Sequence, residues 1–164
     1  MNARKTLIMF GMIALIFSSC SDDDSPSTQN TVTLDDGKFN ISTATIVGVA
    51  IDGEGHAGIS FIGANNTMSK TLNVDVDYAG DSNVAGTYSY PQEQGDRLLL
   101  DALTNYTEMS SDGDVYSTTL VSGTVSVQAN GNDNYTLTMN LEMEDGKTFA
   151  GTYRGKFLVQ FSNQ

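Results

Sequence analysis

The sequence predicts an all-β domain preceded by a short N-terminal targeting segment. From Thr31 onward apolar residues recur at every second position, which is the period of strands with one buried face. Clusters of Gly, Asn and Asp separate these runs and read as turns. Short turns join antiparallel neighbours, and no strand–helix–strand alternation is present. The expected architecture is therefore a single antiparallel β-barrel or β-sandwich of about eight strands.

The first of these runs is the longest, and Gly48 within it predicts a bend. The third run alternates Leu72, Val74 and Val76 with polar residues, so its acidic side chains are expected to face water. A hairpin turn is expected at Gly146, where a positive φ is needed. The expected strands are residues 39–51, 56–63, 72–78, 86–90, 97–109, 121–127, 135–143 and 149–161.

Residues 97–109, RLLLDALTNYTEM, fit two interpretations. The apolar residues Leu98, Leu99, Leu100 and Leu103 suit one face of a short helix nearly as well as a strand. The pattern leaves this choice open.

The N-terminal residues read as an export signal. Arg4 and Lys5 precede an uninterrupted apolar run, residues 7–17. As a helix this run would extend about 16 Å at 1.5 Å per residue, against roughly 30 Å of hydrocarbon in a bilayer. It is too short for a stable membrane anchor and has the charge order of a cleavable signal peptide, expected to span residues 1–19.

The motif Phe17-Ser18-Ser19-Cys20 resembles the bacterial lipobox. Small residues let a peptidase approach the backbone, and the thiol of Cys20 is a strong nucleophile for acyl-glycerol transfer. The resemblance implies that mature Cys20 carries a diacylglycerol thioether and usually a third acyl chain. Two or more chains anchor a protein stably to a bilayer. An ordinary secreted protein with a spare thiol is the alternative.

The four residues after this cysteine, Ser21-Asp22-Asp23-Asp24, resemble the acidic export tag of surface lipoproteins of Bacteroidota. The resemblance implies an outer-membrane protein that faces outward; the alternative is a charged, solvated spacer. Residues 20–31 contain no hydrophobic period and are expected to form a flexible tether. The all-β domain is then expected to span residues 32–164.

Net charge and cysteine count limit the partners and cross-links that this chain can have. The chain of 164 residues has 8 basic and 20 acidic side chains, a net charge of −12. Such a surface repels phosphate backbones, so no nucleic-acid partner is expected. With one cysteine, the chain can form neither an internal disulfide nor a cysteine zinc site.

The residue pattern contains no catalytic motif. His56, the single histidine, lies in the Gly-rich segment GEGHAG without a nucleophile elbow around it. Asp52, Glu54, Glu93 and Asp96 lie in or beside turns, where acids are usually only solvated. We therefore expect no enzyme activity, no cofactor and no metal site. A carboxylate-pair hydrolase is the least favoured alternative.

The segments GTY, SGTVSV, NGNDNYTLTMNLEMEDGK and GTYRGKF, within residues 84–161, resemble small Bacteroidota lipoproteins with lipocalin- or calycin-like β-domains. This resemblance implies fold rather than chemistry. Tyrosine combines an apolar ring with a hydroxyl and suits ligand contact. The candidate contact residues are Tyr88, Tyr90, Tyr106 and Tyr116.

Two functions remain open on this basis. The first is a non-catalytic binding or accessory module, held at the outer membrane by lipid, for a small apolar ligand, a glycan or a partner protein. The second is a structural or assembly lipoprotein that acts through contacts with a membrane protein complex.

Overall fold

The structure, a computed structural model, describes residues 27–51, 54–79 and 83–163; in these ranges the chain forms strands, turns and bends but no helix. The strands are β1 Gln29–Asn30, β2 Thr33–Leu34, β3 Gly37–Lys38, β4 Thr43–Ile51, β5 Glu54–Ala64, β6 Met68–Ala79, β7 Gly86–Tyr90, β8 Arg97–Leu98, β9 Asn105–Ser110, β10 Val115–Gly131, β11 Asn134–Met143, β12 Thr148–Lys156 and β13 Leu158–Asn163. The all-β class is confirmed.

All thirteen strands belong to one sheet, whose main path runs β13-β4-β5-β6-β9-β10-β11-β12-β2-β3. Most neighbours are antiparallel, but β13 pairs with β4, and β7 with β8, in parallel. The two ends of the path are not joined in the described residues, so the barrel is not confirmed. The expected number of about eight strands was wrong because several paired segments have only two residues, too short to show a period.

The long strand β10 links the two halves of the sheet. Its first residues pair with β9, and its later residues lie between β7 and β11. The register shifts between Leu120 and Ser122, which marks a bulge at the change of partners. Strand β10 therefore holds both halves around one core.

The predicted first strand starts later than expected, at Thr43 instead of residue 39. Before that point the backbone N–H of Phe39 donates to Val32 and that of Ser42 donates to Ile62. Gly48 lies inside β4, and a Cβ there would lie 2.5 Å from the ring of Phe161. This glycine makes room for an aromatic ring rather than for a bend.

Other boundaries also differ from the prediction. Residues 97–109 form β8 and β9 with a turn between them, so the helical alternative was wrong. The last predicted strand is divided at Phe157 into β12 and β13. Residues 29–31, expected in the tether, pair with β12, and the N–H of Thr31 donates to the carbonyl of Thr152.

One continuous core lies on the inward side of the sheet and contains 25 buried residues. Aromatic rings pack edge to face within it, for example Phe61 against Phe157 and Tyr106 against Phe149. Large aromatic and aliphatic side chains therefore pack together in the interior. In the parts of the chain that the structure describes, no helix is long and apolar enough to cross a membrane.

Candidate functional site

The residues of the predicted lipobox and export tag, Phe17 to Asp24 with Cys20 among them, lie outside the described residues. Lipidation therefore stays a prediction. Asp52 also lies outside the described ranges, whereas Glu54 and Glu93 are exposed and Asp96 is half-buried.

Two of the four candidate tyrosines are buried. The hydroxyl of Tyr88 donates to the carbonyl of Val84 over 2.7 Å, and that of Tyr106 donates to Glu108 Oε1 over 2.5 Å. Burial, followed by the bond to Glu108, raises the pKa of Tyr106 well above its usual value. Neither ring presents a face to solvent, so neither offers a stacking surface in this state.

The other two tyrosines are more accessible to solvent but lie on different strands, Tyr90 on β7 and Tyr116 on β10. Tyr90 pairs opposite Gly123, and the nearby Asp101 raises the pKa of its hydroxyl, while Tyr116 lies near the start of β10 and is 38% exposed. The hydroxyls of Tyr88, Tyr106 and Tyr116 donate to three different acceptors. Ligand contact by these tyrosines stays a prediction, and the structure does not bring them onto one surface.

Tyr116 belongs to a charged cluster that fastens the β11–β12 turn to β10. Its hydroxyl donates to Asp145, the Lys147 ammonium also donates to Asp145, and this ammonium lies 4.5 Å from the tyrosine ring centre. Desolvation acts to raise the pKa of Asp145, but the hydrogen bonds from Lys147 and Tyr116 together hold it below its usual value. This cluster has an evident structural role.

A wide groove lies where β5 and β6 meet the segment that follows β7. It encloses about 850 Å³, within the size range of small-molecule sites. Its apolar part includes Val49, Ile51 and Leu98, and its polar side chains are Glu54, His56, Asp77, Gln92 and Arg97. The groove therefore offers hydrogen-bonding groups around a small apolar floor.

The imidazole of His56, at the edge of this groove, lies between two carboxylates of β6. Its Nε2 is 3.1 Å from Asp75 Oδ1, and its Nδ1 is 3.4 Å from Asp77 Oδ1. Burial raises the pKa of Asp75, although the charge and hydrogen bond of His56 oppose the shift. Because both ring nitrogens face carboxylates, neither is directed at a substrate as a general base requires.

Asp75 and Asp77 were not among the candidate residues, although the sequence contains a signal for them. The β5–β6 turn pairs Ala64 with Ser69, and counting back along both strands pairs His56 with Asp77. Hairpin register alone would have placed these polar groups together on the outward face. In the described ranges, no group of three or more His, Cys, Asp or Glu side chains is arranged to hold a metal ion.

A second feature adjoins the groove on the outward face of β4 and β13. Val47 is 56% exposed, Ile51 is 52% exposed and Leu158 is 67% exposed. The parallel register pairs Leu158 with Thr45 and Gln160 with Val47, so these apolar side chains belong to one surface. We call residues Val47, Ile51 and Leu158 the apolar stripe.

No family model, no curated protein and no solved structure matched this chain in the comparisons with known proteins.

Proposed function

We propose that this protein is a bacterial outer-membrane lipoprotein, anchored through lipid on Cys20, whose β-domain is a non-catalytic binding module for a glycan. The observation that carries the binding proposal is the groove of about 850 Å³ with its mixed polar and apolar lining. Glu54, Asp77 and Gln92 can bond to hydroxyl groups. Val49 and Ile51 can contact the apolar faces of sugar rings.

The filled core favours a glycan over a small apolar ligand. Tyr88, Phe61 and Leu137 are among many large side chains that are fully buried. An apolar ligand gains affinity by entering a dry cavity, and the packed interior takes up that space. The open groove instead suits a ligand that keeps part of its surface in water.

The non-catalytic part of the proposal rests on His56. A carboxylate at each ring nitrogen suits a cross-strand ion pair and leaves no nitrogen for proton transfer to a ligand. A carboxylate-pair hydrolase would need two acids on opposite sides of a bound sugar. Asp75 and Asp77 instead contact the same imidazole.

The anchor can be tested in the native bacterium. Cys20→Ser should move the protein from the envelope fraction to the soluble or secreted fraction, because the acylated sulfur is removed. Ser27→Ala, which leaves the lipobox intact, is the matched control and should stay with the envelope. Envelope association of the Cys20→Ser variant at the level of the parent would overturn the anchor.

The outward orientation has a separate test. Replacing Asp22, Asp23 and Asp24 together by Asn should protect the protein from protease added to intact cells while it stays in the envelope fraction. Equal cleavage of parent and variant would remove the acidic segment's proposed role in export.

The groove can be tested with immobilised oligosaccharides and the lipidated protein purified in detergent from its host. Asp77→Asn and Gln92→Ala should each weaken binding of a retained oligosaccharide by about tenfold, the effect of roughly 1.4 kcal/mol. Thr138→Ala, on the outward face of β11, is the control and should bind like the parent. Undiminished binding by both groove variants, or no oligosaccharide bound at millimolar concentration, would contradict the proposal.

A structural or assembly role is the second candidate function. The apolar stripe favours it, since exposed apolar side chains grouped on one face of a sheet mark protein contacts. Stoichiometric co-purification of a membrane protein, lost in Val47→Thr, would support it; purification of the anchored protein alone would count against it.

A further inference from the structure

We infer that two copies of this chain pair through β13 and extend the sheet across a two-fold axis. The starting observation is that β13 ends the main path of the sheet. It pairs with β4 along all six residues, and none of the other described strands pairs with it. A strand of this length presents a row of backbone donors and acceptors on its second edge.

The ends of the pairing pattern at β3 and β8 are protected against such addition. Strand β3 has two residues, includes Lys38 and follows Asp35 and Asp36. Strand β8 also has two residues, includes Arg97 and follows Asp96. Short length and charge are the usual means of preventing edge-to-edge association.

Strand β13 has neither form of protection. Its sequence, LVQFSN, contains no charged residue and no proline. A depression of about 470 Å³ lies over the first residues of β13 and the adjoining part of β4, and its border also includes Asp133 and Lys156. One acid and one base therefore lie near the start of the strand, whereas the strand itself carries no charge.

Charge selects a second copy as the occupant. Copies with a net charge of −12 repel one another unless they meet at an uncharged surface. Strands β4 and β13 supply such a surface, since neither contains an acidic or basic residue. A two-fold contact brings each residue close to the same region of its partner, so an uncharged edge is required for self-association.

The sequence of β13 also suits antiparallel self-pairing with the axis at Gln160. Val159 then lies opposite the partner's Phe161, a β-branched and aromatic pair that stabilises antiparallel strands. Leu158 lies opposite the partner's Ser162, and no like charges oppose each other. The apolar stripe lies beside this contact and loses exposure to water when the copies meet.

Cysteine cross-linking in the native bacterium tests this pairing. Opposed residues of an antiparallel pair have Cα atoms about 4.5–5.5 Å apart, within the range of a disulfide. Under mild oxidation Gln160→Cys should therefore migrate at twice the monomer mass on a non-reducing gel. Thr138→Cys, exposed on β11, is the matched control and should remain a monomer.

The parent chain separates this inference from the proposed lipidation. Its one cysteine, Cys20, is blocked if it is acylated, so a cross-linked parent would point to failure of the anchor rather than of the β13 contact. A Cys20→Ser background then isolates the thiol at residue 160. Cross-linking of Gln160→Cys no greater than that of Thr138→Cys would overturn the pairing.

A measurement of mass in solution gives an independent test. Gln160→Lys places two like charges at the axis without altering the buried core. The parent protein in detergent should have the mass of a dimer after subtraction of bound detergent, and the variant should have that of a monomer. A monomeric parent at about 100 μM, or a dimeric Gln160→Lys variant, would contradict the inference.

Discussion

The outward faces of two parts of the same sheet differ in chemistry although their inward faces are alike. On β11 the outward residues are Thr138, Asn140 and Glu142, between buried Leu137, Met139 and Leu141. On β4 the outward residues include Val47 and Ile51, each of which follows an inward-facing residue, Ile46 and Ala50.

Folding requires only that the inward-facing residues of each strand be apolar, because one apolar face suffices to pack a sheet against its core. The outward-facing residues can vary, and those of β11 are polar, as expected next to water. Strand β4 keeps apolar side chains where folding does not demand them. This difference is why we assign contact with other molecules to the β4 region and not to the β11 region.

The largest expected effect on the free energy of unfolding distinguishes the buried face of β4 from its exposed face. Ile46→Ala should destabilise the fold by about 2–4 kcal/mol, because the side chain is fully buried and its removal leaves a cavity. Val47→Ala, at the next residue, should cost less than about 1 kcal/mol. Urea unfolding of the purified protein measures both values. Similar losses would mean that the outward face of β4 is also covered within the monomer.

A second matched pair applies the same contrast to glycines of β5. Gly55→Ala should destabilise by about 1–3 kcal/mol, because the new Cβ would lie 2.5 Å from the Tyr78 ring. Gly58→Ala faces outward, where the nearest atom, Asp75 Oδ1, is at 3.4 Å. That substitution should be close to neutral in thermal unfolding. A stable Gly55→Ala variant would show that the Tyr78 ring can move aside.

The β11–β12 hairpin turn should show a small, pH-dependent effect on the free energy of unfolding. The pKa of Asp145 is lowered in the fold, so its contribution is present above its unfolded pKa of about 3.8 and is lost as pH falls through the lower, folded value. Asp145→Asn should therefore cost up to about 1 kcal/mol at pH 7 and progressively less as the pH falls below the unfolded value. Unfolding curves across pH measure this, with exposed Glu144→Gln as control. A deficit that is constant with pH would point to packing instead of charge.

The smallest expected effect on stability is at the apolar stripe. Val47→Thr combined with Leu158→Thr should change the free energy of unfolding by about 0.5 kcal/mol or less, since both side chains are mostly exposed. The same variant should be retained less on a hydrophobic column than the parent. A loss of several kcal/mol in a sample shown to be monomeric would mean that these residues stabilise the domain itself.

Local pattern predicted much of this fold. Strand β7 occupies the expected residues 86–90, and β11 begins one residue before its predicted start and ends where predicted. Both predictions succeeded because alternation and turn residues are local properties of the backbone. The later start of the first predicted strand, at Thr43, could not be found in this way. It depends on hydrogen bonds from Phe39 to Val32 and from Ser42 to Ile62, which only the assembled sheet supplies.

The candidate site shows a similar division. The pairing of His56 with Asp77 follows from one short hairpin, so careful register counting could have predicted it. The wall formed by Gln92 and Arg97 could not be predicted, because the segment after β7 returns to pack beside β6 through a bridge between Leu99 and Val76. No local period encodes which distant strand such a segment will meet.

The sequence by itself determined that the domain is built from strands, which side of most strands is apolar, and that one cysteine follows a signal-like apolar run. These properties depend on neighbours a few residues apart. Tertiary structure decided that β13 lies parallel to β4, more than 100 residues away in the chain, and that Leu158 thereby joins Val47 and Ile51 on one exposed surface. Strand pairing over such distances is selected by the packing of the whole core, because backbone hydrogen bonds are alike at every residue and do not specify a partner.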